Sequence, residues 1–136
     1  MFEFHGWVNI KVDDTDDADI DILDTRLNDL SDQIENRIKN FEWPNCILRV
    51  FRGLNGENHL LMTGFQNHRD QEIIDFFYWI AARQPFSYGL LHIRDDEDKG
   101  YENVFRVFSM TSGKIECATE ELLSPCIPKI EPEWKE

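Results

Sequence analysis

The stretch FEFHGWVNIKV, residues 2–12, places Phe2, Phe4, Val8, Ile10 and Val12 on one side and Glu3, His5, Trp7, Asn9 and Lys11 on the other. A period of two is that of a half-buried strand, so the chain opens with a strand that needs an apolar partner on one face. Gly6 interrupts the apolar side, and a strand glycine marks a bulge or a close approach by another segment, here one that lets Trp7 pack. As a large aromatic, Trp7 is expected in the core.

Beyond this strand the period changes. Leu23, Leu27, Leu30, Ile34, Ile38 and Phe41 step by four and three, the spacing of an amphipathic helix. Aspartates before it (Asp13, Asp14, Asp16, Asp17, Asp19, Asp21) suit a helix start, where they meet exposed N–H groups and the positive end of the macrodipole. Trp43-Pro44 ends the helix, because a residue before proline is pushed out of the helical region. Strands follow at 46–53 and 59–65 around Asn55-Gly56, the strongest short hairpin signal. Asn67 is placed to cap a second helix, with Asp70 and Glu72 in its first turn. Its stripe is Ile73, Ile74, Phe77, Ile80 and Ala81, and Pro85 stops it. Three more strands are read at 87–94, 103–110 and 113–119, the last two turned by Ser112-Gly113.

The order is thus strand, helix, strand, strand, helix, strand, strand, strand. Its first six elements match the split βαβ pattern of ferredoxin-like folds. The fold class is α+β: a mostly antiparallel sheet with both helices on one face. At 136 residues, one domain is expected over 1–124, with an irregular tail over 125–136 that holds Pro128 and Pro132.

Charge is the most informative bulk property. There are 27 Asp and Glu against 14 Lys and Arg, a formal net charge of −13, so a phosphate backbone would be repelled and a basic protein attracted. Cys46, Cys117 and Cys126 form no C-x-x-C pair, and the N-terminus lacks a signal-peptide pattern, which together point to a reducing compartment. No apolar run approaches the about 18 residues of a membrane span.

Chemistry finds little support. The cysteines sit in strand-like or tail segments away from any strand-to-helix elbow, and no Gly-rich phosphate loop is present. His5, His59, His68 and His92 are too scattered for zinc, and the acidic run from Asp13 lacks the turn glycine and the closing glutamate of a calcium loop. No catalytic residue, metal or cofactor is therefore assigned. The loop Asp95-Asp96-Glu97-Asp98 reads as a solvated turn or a protein-binding patch ahead of acid-base machinery, since catalytic carboxylates are usually few and buried whereas four consecutive acids mostly face water.

Three segments in this order carry a resemblance: Phe2-Glu3-Phe4-His5-Gly6-Trp7-Val8-Asn9-Ile10; Arg52-Gly53 with Asn55-Gly56; and Tyr88-Gly89-Leu90-Leu91-His92-Ile93-Arg94-Asp95-Asp96-Glu97-Asp98. Together they resemble the Immunity protein 7 family of bacterial polymorphic-toxin systems, from the first strand to about Lys114. The resemblance implies a non-enzymatic cytoplasmic protein that binds the C-terminal domain of a cognate toxin, as in contact-dependent growth inhibition, and blocks its active site or substrate path. Many such toxins are nucleases with basic grooves, which suits an acidic inhibitor. The expected contact surface is Asp95, Asp96, Glu97 and Asp98 with the Asp13, Asp14, Asp16 and Asp17 turn, and Tyr101 and Trp7 as aromatic anchors. Two alternatives stay open: an acidic adaptor for some other basic protein, and a carboxylate- or metal-dependent hydrolase built on Asp95–Asp98.

Overall fold

The computed structural model of the chain describes residues 1–13, 19–40, 42 and 44–125. Its elements are β1 (Phe2–Ile10), α1 (Ile20–Lys39), β2 (Cys46–Leu54), β3 (Glu57–Gln66), α2 (Gln71–Arg83), β4 (Tyr88–Asp95), β5 (Arg106–Thr111) and β6 (Lys114–Thr119). They form one six-stranded sheet in the order β2-β3-β1-β4-β5-β6, with every pairing antiparallel. β1 and β2 therefore run the same way with β3 inserted between them, the split βαβ arrangement expected from the order of elements, and β5 and β6 widen the sheet beyond it.

The alternation of β1 is realised. Phe2, Phe4, Val8 and Ile10 are fully buried on one face and meet Leu60 and Met62 of β3 and Leu91 and Ile93 of β4. Ile34 of α1 and Ile73, Ile74, Phe77 and Ile80 of α2 close this core from above. β1 ends at Ile10 rather than Val12, and the Lys11 N–H donates to Ser87 Oγ at 3.0 Å in place of a ladder bond.

Gly6 does not make a bulge, since pairing with β3 runs unbroken from Phe2 to Ile10. It belongs to the core face, and a Cβ there would lie 2.9 Å from Leu91 Cδ1 and 3.0 Å from Met62 Cε. The close approach is thus made by core side chains of both neighbouring strands. Trp7 is not in the core: it points to the opposite face, half-buried, with its ring edge-on to Tyr88 at 5.9 Å. An odd position in a strand whose even positions face the helices has no other side to go to.

α1 is capped by Asp19, whose side chain accepts from the Ile22 N–H at 3.0 Å. A buried polar chain holds it to the β2–β3 hairpin: Ser31 Oγ donates to the Leu27 carbonyl and accepts from Asn58 Nδ2, and Asn58 Oδ1 accepts from the Gly53 N–H. Phe41 and Trp43, read as the end of this helix, lie outside the described residues. The cap of α2 is Asp70 and not Asn67. The Asp70 carboxylate accepts from the Glu72 N–H at 3.0 Å, and a charged acceptor suits the positive helix end better than an amide. Trp79 of α2 has two guanidinium groups over its ring, Arg37 of α1 at 5.3 Å and Arg83 at 5.4 Å.

Both hairpin turns are as expected. Asn55 and Gly56, and likewise Ser112 and Gly113, have positive φ, the backbone of a two-residue turn that matches strand twist. β5 begins at Arg106, later than the reading from 103, because residues 96–105 form a loop whose last residue, Phe105, is buried and accepts a hydrogen bond from the Glu120 N–H. The described chain continues to residue 125 without a regular element, and the remainder of the proposed tail, 126–136, lies outside the described residues.

Gly64 tests this packing. A Cβ there would meet Cys46 Cβ and stand 2.8 Å from the Phe4 ring. Gly64→Ala is expected to lose about 1–3 kcal/mol by overpacking, read as a lower urea midpoint with unchanged m-value.

Candidate partner-binding surfaces

The loop after β4 is held together by its own carboxylates. Asp95 is 8% exposed; its Oδ1 accepts from the Glu97 N–H at 3.0 Å, and Arg69 Nη1 stands 3.7 Å from Oδ2. Asp96 Oδ1 lies 2.5 Å from the Met1 amino group, which holds the Asp96 carboxyl below the usual range. Glu97 faces His68 Nδ1 at 3.0 Å, and Asp98 pairs with Arg106. Tyr101 is exposed, its N–H donates to the Asp98 carbonyl, and the Arg106 guanidinium sits 4.0 Å over its ring. Asp95 to Asp98 and Tyr101 thus form one cluster, in which each of the four acids has a basic neighbour.

Asp13 is elsewhere. Phe2 pairs with Asp95, whereas Asp13 follows the far end of β1. Nine residues rising ~3.3 Å each separate these two ends of the sheet by roughly 30 Å. Asp13 borders a cavity of about 310 Å³ lined also by Arg26, Leu30, Arg83 and Phe86. Asp14, Asp16 and Asp17 lie outside the described residues. Trp7 is remote from both acidic ends, in the middle of the face that the helices leave uncovered.

That face was not singled out from the sequence. Its cross-strand rows run Arg49–Leu61–Trp7–Leu90–Ser109–Glu116 and Ile47–Thr63–His5–His92–Val107–Ala118. Ile47, Leu61, Phe65 and Tyr88 on it are 61, 46, 52 and 41% exposed. Its polar groups are pre-positioned: His5 Nδ1 lies 2.8 Å from Thr63 Oγ1 and Nε2 lies 2.6 Å from Glu3, while Asn9 Nδ2 donates to Tyr88 Oη at 2.8 Å. Over the central strands His5 and His92, with Phe105, Glu120, Leu122 and Leu123, line an open cavity of about 310 Å³. The signal was present in Leu60-Leu61-Met62 and Leu90-Leu91, where unbroken apolar runs replace alternation and so leave a strand apolar on both faces.

α1 carries further acids. Asp21, Asp24 and Asp32 are exposed, and Arg52 bridges Asp32 (2.6 Å), Glu35 and Asn28 Oδ1 (3.1 Å). These partners raise the Arg52 guanidinium still further above its ordinary value. Among the described residues no group of three or more His, Cys, Asp and Glu is arranged for a metal ion. Burial, with the Asp70 charge, pushes the Cys46 thiol up to about 11, the protonation state least suited to nucleophilic attack. Among the described residues no helix is long and apolar enough to cross a membrane.

A family model described as Immunity protein 7 matches residues 1–132 of the chain. No curated protein and no solved structure matches it.

Two outcomes are expected from the ionisable groups. In a Cys126→Ser background at pH 8, Cys46 carries a thiolate on the order of a thousandth of the time, so exposed Cys117 is alkylated first and Cys46 lags in a mass-resolved time course. Hydrogen bonding to Lys11 lowers the Glu57 carboxyl from its ordinary 4.5. The stability this pair supplies is complete above that value and is lost as pH falls through the lower folded-state value. The urea midpoints of wild type and Lys11→Met should therefore differ at pH 7 and converge in strong acid.

Proposed function

The chain belongs to the Immunity protein 7 family, which makes it an immunity protein against a toxin, and we propose that it neutralises a cognate nuclease-type toxin in the cytoplasm by covering the active site or substrate path of the toxin's C-terminal domain. It acts by binding and turns over no substrate. The observation that carries the nuclease reading is the net charge of −13. A domain that cleaves nucleic acid needs a basic groove for the phosphate backbone, and an acidic protein is drawn to that groove by the same field.

In this reading the acids act mainly over distance. Asp96 and Glu97 are the exposed acids of Asp95–Asp98, and their partners are the half-exposed Met1 amino group and an exposed histidine, so both pairs can be exchanged for toxin cations at small cost. Asp13 contributes from the other end of the sheet, and Asp14, Asp16 and Asp17, next to it in sequence, add their charge. Asp95 and Asp98 shape the loop, and Tyr101 offers an aromatic edge beside it. Charges distributed in this way speed encounter more than they strengthen the complex.

The experiment is co-expression of the full chain with the C-terminal domain of the toxin encoded beside it, scoring survival and recovering the complex. Survival with a complex is expected; death of the cells with no complex would sink the reading. The association rate should fall about tenfold or more between 50 and 500 mM salt. Asp96→Asn with Glu97→Gln should slow association by about two- to fivefold and leave dissociation unchanged.

A further inference from the structure

We infer that the toxin is held on the open face of the sheet, around Trp7, Leu61 and Leu90, by a partner surface that is apolar at its centre and basic at its rim. This rests on the toxin-binding reading above and adds to it the surface that holds. α1 and α2 cover one face of the sheet, and the other presents Ile47, Leu61, Phe65 and Tyr88 to solvent. Six strands ~4.8 Å apart and six to eight residues rising ~3.3 Å each give a footprint of roughly 600 Å², close to the ~800 Å² per partner of a standard interface.

The charge map selects the occupant. Among the strand residues on this face, Glu3, Glu57 and Glu116 are balanced by Arg49, Arg94 and Lys114. The face is thus neutral in a chain of net charge −13, and acids stand at its edges, at Asp13, in loop 95–98 and at Glu120 and Glu121. A second copy docked here would set one acidic rim against another. A basic toxin meets the same rim with opposite charge while its apolar centre meets Leu61 and Leu90.

The anchors are of the kind that carries binding energy. Trp and Tyr dominate interface hot spots, and here Trp7 and Tyr88 are packed edge-on, with Tyr88 fixed by Asn9. Little rotamer freedom is left to lose on docking.

The test uses the full chain and the toxin C-terminal domain encoded beside it. Leu61→Lys, Phe65→Lys and Trp7→Ala change solvent-facing positions, and thermal melts check that each variant is folded. Each should raise the dissociation rate about tenfold or more, with association within about threefold of wild type. This is the opposite split from the acid variants. Hydroxyl-radical footprinting of the wild type gives a second readout, in which Ile47, Leu61 and Phe65 should be labelled in the free chain and protected in the complex.

Wild-type dissociation rates in folded Leu61→Lys and Phe65→Lys, or equal labelling in free and bound chains, would overturn the inference. Protection in the free chain would do so too: if it grows with concentration a second copy occupies the face, and if it does not the chain's own C-terminal residues do. A wild type that neither binds nor protects fails at the function itself, which is a distinct result.

Discussion

The structure depends on β1 being paired along both edges. Phe2 to Ile10 align with Gln66 to Asn58 on one side, and Phe2 to Asn9 with Asp95 to Tyr88 on the other, so its alternation fixes which residues of β3 and β4 face the helices. A shift of one residue would turn Phe2, Phe4, Val8 and Ile10 out and Glu3, His5 and Asn9 in. Gly6 and Gly64 leave room for Leu91, Met62 and the Phe4 ring in one arrangement of the neighbouring strands. The helices then cover the face that carries Phe2, Phe4, Val8 and Ile10, and they leave the other face of the sheet uncovered.

Much of this was legible because it depends on local periods. The alternation of residues 2–10, the four-and-three spacing from Leu23 to Ile38 and the two turn dipeptides each carry their own geometry, and together they lead to the strand order. What was misread depends on competition between neighbours. Asn67 and Asp70 are both good caps, and the three-residue difference is decided by where β3 ends and by charge at the helix end. Val12 looks like a strand residue, but its neighbour Lys11 bonds to Ser87 and leaves the ladder.

The candidate surfaces were legible in kind and less so in place. A run of four acids reads as a free negative patch, yet Arg69, His68 and Arg106, distant in sequence, fold against it. Acids at residues 13 and 95 look like parts of one surface only until the register of β1 sets them at opposite ends. Trp7 was named as an anchor and expected in the core; its odd position in the strand already decided against the core. Leu61, Phe65 and Leu90 were absorbed into strand assignments, because an apolar strand residue is taken as buried until the sheet is seen to have only one covered face.

The central place of β1 also has a consequence in time. It is made first, but its partners begin at Glu57 and Tyr88. At ~5–20 residues per second of synthesis, the first strand waits on the order of several seconds before both its edges can be closed. Long-range pairing of this kind also folds slowly once the chain is complete. The strand on which the sheet depends is therefore the one that stays unpaired longest as the chain emerges.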